Sequence, residues 1–268
     1  VNNKKIIPEK RRNDILKLTE TEEVLSVDML IDMFKTSRST IIRDIKVLED
    51  RGLIIRTFGG IKIINKGLAY SFDSSSHEQI EEKKAIVKSA FKLIKNHSTI
   101  VLNLGVTTLE LVKLIVKSNL QISVITNSFK IIDYLVINNF KDILSLGGNY
   151  YDTNYAFKGK ISIENMKSLD ANTSFISVYG IDPDIGVTLP FSEEADLVSI
   201  MLEKSKERVI MADHAKFGRI SSYKVKCNIE DIDAIITDGR TDKKIIKKFN
   251  EKGVKVIAAS HKATTSSR

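Results

Sequence analysis

The sequence predicts an α/β chain in two parts, an N-terminal winged helix-turn-helix and a C-terminal, mostly parallel α/β domain. Three observations predict it. Thr36 to Gly60 reads as one helix followed by a two-stranded ribbon. Beyond it, short β-branched runs alternate with helical stretches, the pattern of parallel strands joined by crossover helices. A length of 268 residues with 42% hydrophobic content is enough for two domains and a sizeable core.

The first stretch opens at Ser37, whose hydroxyl can accept a bond from an unpaired backbone N–H and so cap a helix. Ile41, Ile45 and Leu48 recur at helical spacing and make one apolar stripe. Arg38, Ser39, Ile42, Arg43 and Lys46 fall on the other side, where they can lie along a DNA groove. Gly52 stops the helix, Leu53 to Arg56 reads as a strand, Gly59-Gly60 as a turn and Ile61 to Ile64 as a return strand. Upstream, Arg11 to Thr19 carries Ile15 and Leu18 at helical spacing. Ser26 caps a second helix whose Met29, Leu30, Met33 and Phe34 are expected to pack on the third. Lys35-Thr36 leaves the short turn that a helix-turn-helix requires. The alternative is a small helical bundle that binds no DNA, and the ribbon after the third helix argues against it.

The segment from Arg11 to Gly60 resembles the N-terminus of the DeoR (deoxyribose operon repressor) family of bacterial transcription regulators. Arg12, Ile15, Leu16, Ser37, Thr40, Ile41, Arg43, Asp44, Leu48, Glu49, Gly52, Arg56, Gly59 and Gly60 match its pattern. Thr36 stands where a Val is usual, and Ile42 replaces the first Arg of an Arg-Arg pair, which removes one phosphate or guanine contact. The resemblance implies operator double-stranded DNA as a partner. With the reading of the residues it gives a DNA-contact set of Ser37, Arg38, Ser39, Thr40, Ile42, Arg43, Lys46 and Arg56, in a domain spanning 1–64.

Composition narrows the partners. The net charge is +8, yet residues 1–60 hold twelve Lys/Arg against ten Asp/Glu, so placement and not total charge must make the DNA-binding face. The one cysteine, Cys227, cannot form an internal disulfide, which fits a cytoplasmic location. No apolar run reaches the roughly 18 residues of a membrane helix, and the polar, basic start does not read as a signal peptide. His77, His97, His214 and His261 are scattered, so no metal is expected, and without a Walker loop or G-x-G-x-x-G fingerprint no nucleotide cofactor is expected either.

Residues 65–79 read as a linker, with a Gly, a Ser run and no period. From Glu78 a helical pattern with Ile80, Ala85-Ile86, Ala90 and Leu93-Ile94 is expected to pack on the second domain or on a sister subunit. Strands follow at Thr99–Leu102, Ile122–Thr126, Asp142–Leu146, Thr173–Tyr179, Arg208–Met211, Ile232–Ile236 and Val254–Ala258. Helices separate most of them, at Thr107–Val116, Phe129–Asn138, Ile161–Ser168, Ser192–Lys204 and Asp242–Asn250. Ligands of such sheets bind beyond the carboxyl ends of the strands. That rule singles out Asn103 to Thr108, Thr126 to Ser128, Gly147-Gly148, Gly180 to Gly186 and Asp213 to Gly218. Gly105 lets the backbone approach an anion at a helix N-terminus, where Thr107 and Thr108 add hydroxyls and N–H groups. Lys216 can add a positive charge, while Asn127 and Asp213 can bind hydroxyls.

This half resembles the family's C-terminal sensor domain, whose fold is similar to sugar-phosphate isomerases. The elements Thr126-Asn127-Ser128, Leu146 to Gly148, Phe157 to Gly159, Gly180, Gly186 to Thr188, Glu194-Ala195 and Asp213 to Gly218 match it; Asn103 to Thr107 departs from the usual D-S-G-T-T. The expected effector set is Asn103, Gly105, Val106, Thr107, Thr108, Asn127, Gly147, Gly148, Gly180, Glu194, Asp213 and Lys216, in a domain spanning 80–259 with a disordered tail at 260–268. The expected protein is a homodimeric or homotetrameric repressor of a carbohydrate operon, controlled by a phosphorylated sugar, and not an enzyme. The other reading is a sugar-phosphate isomerase with an accessory DNA-binding domain, but Asn103 stands where that chemistry would want a carboxylate base.

Overall fold

The computed structural model describes residues 8–21, 25–50, 54–57, 60–63, 79–152 and 154–259. They fall into two units, Val1–Ser74 and Ser75–Arg268.

The first unit runs α1 (Pro8–Thr21), α2 (Val27–Phe34), α3 (Arg38–Asp50), β1 (Ile54–Thr57) and β2 (Gly60–Ile63). Ser26 caps α2 by accepting from the Met29 N–H at 3.1 Å. Lys35 then adopts a left-handed conformation, φ 47°, which turns the chain into α3. Ser37 caps α3 through the Thr40 N–H at 3.3 Å. Ile15, Leu16, Leu30, Ile41, Ile45, Leu48, Ile54 and Ile61 form the core, each removing apolar surface from water at roughly 25 cal/mol per Å². Leu25 pairs antiparallel with Ile61, so the segment between α1 and α2 is bonded to the ribbon, with N–H to carbonyl distances of 3.0 and 2.8 Å.

One expectation is corrected here. Met29 and Met33 are 41% and 47% exposed instead of packing on α3. The helix presents Val27, Leu30, Ile31 and Phe34 inward, the i, i+3, i+4, i+7 stripe, and the two methionines lie off it. Gly52, Leu53, Gly59, Ile64, the expected linker up to residue 78, the tail from residue 260 and the side chain of Arg56 lie outside the described residues.

The second unit begins with α4 (Ile80–Phe91), β3 (Thr99–Leu102), α5 (Val106–Val116), β4 (Ser123–Thr126), α6 (Phe129–Ile137) and β5 (Ile143–Ser145). It continues with β6 (Asn149–Tyr151), β7 (Ala156–Lys158), α7 (Lys160–Lys167), β8 (Ala171–Ser177), β9 (Gly180–Asp182), β10 (Gly186–Leu189) and α8 (Ser192–Glu203). It ends with β11 (Ser205–Met211), β12 (Tyr223–Lys224), β13 (Ala234–Asp238), α9 (Lys243–Glu251) and β14 (Lys255–Ala259). Seven strands make one parallel sheet in the order β14-β13-β11-β8-β3-β4-β5. Its central strands are buried along most of their length, as a sheet covered on both faces requires. The strand order reverses between β3 and β8, which makes that boundary the topological switch point.

The apolar face of α4 is buried in this unit's own core: Ile86 and Ala90 are fully buried and join the cluster of Ile100, Leu102, Leu111 and Phe175. That face is therefore not available to a sister subunit. The β6-β7 hairpin and the small β12-β10-β9 sheet were not expected, because strands of two to four residues carry no readable period.

Candidate functional sites

On α3, Arg38, Ser39, Arg43 and Lys46 are exposed, with Thr40 and Ile42 half-buried between them. The expected face therefore exists as a surface. Its members are not equivalent. Arg38 pairs with Asp28 at 2.8 Å, both side chains being largely exposed, an arrangement worth about 0–1 kcal/mol and readily exchanged for a phosphate. Arg43 has no ion-pair partner among the described residues. Ser37 points its hydroxyl at Thr40 and Ser39, 2.8 and 3.0 Å away, and serves the helix cap. Arg56 lies in β1 opposite Ile61, with its side chain outside the described residues.

Beneath this face, sequence reasoning missed the role of Asp44. It is 2% exposed and receives Arg11 Nε at 2.6 Å and Arg12 Nε at 3.0 Å, tying α1 across α3. The signal was present: Asp44 shares the stripe of Ile41, Ile45 and Leu48, where a charge needs a buried partner.

In the second unit, the expected effector residues stand at the carboxyl ends of the strands, and several turn out to hold the loops together. Asn103 donates from Nδ2 to the Ser177 carbonyl and accepts the Ser177 N–H at Oδ1, both at 2.9 Å. It joins β3 to β8 at the switch point, with both polar atoms of its amide bonded to backbone. Thr108 is fully buried, and its hydroxyl bonds the carbonyls of Asn103 and Gly105 at 2.9 Å. Asn127 accepts the Leu104 N–H at 3.2 Å and donates to the Phe157 carbonyl at 3.0 Å, so it braces two loops. Gly180 is required for packing, because a Cβ there would run into the Arg219 carbonyl. Asp213 accepts the Ala215 N–H at 3.1 Å and caps a short 3-10 turn, His214–Lys216, in which Lys216 is 8% exposed.

Gly105 has a different character. A Cβ on it would sit 2.8 Å from Ser177 Cβ, so the loop fits against β8 only without one. No side chain caps α5, which leaves the N–H groups of its first turn, from Val106 onward, without intrahelical partners. Gly105→Ala is expected to cost about 1–3 kcal/mol by forcing β3 and β8 apart, read as a lower melting temperature of the second unit. Asn103→Asp removes the donor to the Ser177 carbonyl and sets a carboxylate against it. A loss of about 1–3 kcal/mol is expected; a variant that melts with the parent would show that the Asn103–Ser177 bonds contribute nothing.

Gly147 and Gly148 have φ of 58° and 112°, and a Cβ on Gly148 would collide with Ser162 Oγ and the Lys158 carbonyl. Ser162 Oγ donates to the Gly147 carbonyl. Glu194, in the first turn of α8, is 4% exposed and faces Lys158 Nζ at 3.4 Å. Burial pushes its carboxyl above the usual range, with Lys158 opposing the shift. Lys158 and Asp238 were missed by the sequence reading. Asp238 is fully buried and accepts the His214 N–H, the Arg240 N–H and His214 Nδ1 at 2.7, 2.9 and 3.1 Å. Burial alone would raise its carboxyl, but these bonds outweigh burial and hold it below the ordinary value. A hollow of about 690 Å³ opens at the opposite, amino-terminal ends of β3 and β4, and none of the expected residues lines it. The switch-point rule favours the carboxyl ends. Among the described residues no group of three or more His, Cys, Asp or Glu is placed to hold a metal ion, and no helix is long and apolar enough to cross a membrane.

Residues 11–67 match the DeoR-like helix-turn-helix domain, and residues 78–239 match the DeoR C-terminal sensor domain. The chain belongs to the DeoR family. It is a DNA-binding transcriptional regulator of operator DNA with a C-terminal sensor, and not an enzyme. This DeoR-family regulator is 30% identical to an uncharacterized HTH-type transcriptional regulator of Haemophilus influenzae, over 88% of this chain and 91% of that one. It is also 30% identical to the transcriptional repressor AccR of Agrobacterium fabrum, over 90% of this chain and 93% of that one. Among solved structures, ribose 5-phosphate isomerase A of Methanocaldococcus jannaschii overlays 52% of the regulator and 55% of its own length, at 16% identity and a TM-score of 0.39.

Proposed function

We propose that this regulator represses a carbohydrate operon and that a phosphorylated sugar, bound at the carboxyl ends of β3, β4, β8 and β11, sets its operator affinity. The domain bounds follow the same reading: DNA contact within 1–64, a linker at 65–79 and effector binding within 80–259. The observation that carries it is the uncapped start of α5 at the switch point, where Gly105 fits against Ser177 and the N–H groups of Val106 and Thr107 can receive an anion. Neutral side chains gather around that point, and a sugar phosphate offers one anion and several hydroxyls. Asp213 and Lys216 close the β11 side.

A single recognition helix covers too few base pairs for operator specificity, and two-fold assemblies reading two half-sites supply the rest. The regulator accordingly works as a homodimer or homotetramer assembled through its second unit, on a surface other than the buried face of α4. Gel-shift titration of the protein on its own promoter region, with a panel of pentose and hexose monophosphates, tests the reading. At least one phosphorylated sugar should change operator affinity at least tenfold where its unphosphorylated form does not. No change with any of them would overturn the effector class, and sedimentation as a monomer with and without DNA would overturn the assembly.

A further inference from the structure

Lys158 ends β7, is 3% exposed, and its ammonium group has three donors. Among the described residues its Nζ makes one hydrogen bond, to Glu194 Oε2, and at 3.4 Å it is a long one. The rings of Phe191 and Tyr151 lie 4.5 and 5.4 Å from the same nitrogen. Gly159 and Phe191 are the N-cap positions of α7 and α8, and neither helix is capped by a side chain. The positive ends of two helix dipoles therefore flank Lys158, with Glu194 as the facing carboxylate. A buried ion pair offsets its desolvation only when short bonds satisfy both partners. This one leaves donors over and a surplus of positive charge.

Its place in the fold gives that surplus a direction. One side chain, Asn127, bonds both the Leu104 N–H and the Phe157 carbonyl. Gly105 and Lys158 each follow one of those two residues, so the uncapped start of α5 and Lys158 stand on either side of the same brace. The hairpin turn that leads into β7 also buries Asn154, whose Oδ1 accepts no hydrogen bond among the described residues. We infer that Lys158 is the side chain that receives the anionic group of the effector, and that Glu194 is the counter-ion it leaves when the effector binds. The inference rests on the sugar-phosphate reading above and moves the charge donor from Lys216 to a residue of the β6-β7 hairpin. Glu194 then acts against the ligand: it holds Lys158 in the empty site and must release it.

The test is calorimetric titration of the full chain with inorganic phosphate and with pentose and hexose monophosphates. Lys158→Met should weaken every phosphorylated ligand that the parent binds by at least tenfold. Glu194→Gln should tighten the same ligands severalfold, because a neutral partner competes less for the ammonium. Lys158→Arg, which keeps the charge, should stay within a few fold of the parent and carries the comparison should the Met variant fail to fold. Equal binding by Lys158→Met, or loss of binding in Lys216→Ala alone, would overturn the inference and leave the sugar-phosphate reading standing. Weakened binding in both Lys158→Met and Glu194→Gln would make the pair a strut between the hairpin and α8, and would also overturn it. A parent that binds none of these anions removes both readings together.

Discussion

Asp44→Ala should unfold the DNA-binding unit at temperatures where the second unit stays folded. Removing one member of a buried charge cluster costs about 3–5 kcal/mol, because the remaining partners keep their desolvation without the compensating charge. Here Arg11 and Arg12 would both lose their bonds to Asp44, while Arg12 keeps its pair with the more exposed Glu9 at 2.5 Å. A unit of this size has only a few kcal/mol of net stability, since a small core buries a modest fraction of its surface. Calorimetric melting should therefore show an early transition for the first unit and an unshifted one for the second, with operator binding lost. Asp44→Ala melting with the parent would mean that α1 is held by its apolar contacts alone.

Arg43→Ala is expected to weaken specific operator binding by about 1–3 kcal/mol, roughly five- to 150-fold, with no change in melting. The side chain is exposed on α3 and engages no charged partner among the described residues, so its full charge is available to a base edge or a phosphate. A base contact would show as relaxed specificity at one operator position; a phosphate contact would lower the slope of log affinity against log salt by about one. Arg38→Ala should cost less, because Arg38 must first leave Asp28. Arg43→Ala and Lys46→Ala both binding like the parent would remove this face of α3 from the operator.

The sequence was most legible where a single period ran uninterrupted. β3 falls at Thr99–Leu102 as read, and α5, α7 and α9 begin or end within a residue of their expected bounds. The apolar stripe of Ile41, Ile45 and Leu48 is buried as its spacing demanded. Residue type alone did not decide where one chemistry can serve two purposes. Asn103, Asn127 and Thr108 were read as ligand groups because they are polar and follow strands, and each also bonds backbone: Ser177 of β8, Leu104 and Phe157, and the Asn103 and Gly105 carbonyls of Thr108's own loop. A linear sequence does not say which backbone comes within 3 Å of an amide. Lys158 was passed over for the opposite reason. It lies in a three-residue strand between matched Phe157 and Gly159, and its burial depends on α8, more than thirty residues downstream.

The strand order also governs how the protein comes to exist as a folded object. The middle of the sheet joins Ile100 to Thr173 and Leu102 to Phe175, while every residue between them must be laid out as β4, β5, three helices and a hairpin. Such distant pairing closes slowly, because the chain entropy of a long loop is lost before the contacts that reward it are made. The first unit has no such delay: its helices and ribbon touch within some fifty residues, and it leaves the ribosome first. The recognition helix is thus in place while the sensor is still an open chain, so in each newly made molecule the DNA-binding unit folds before the unit that regulates it.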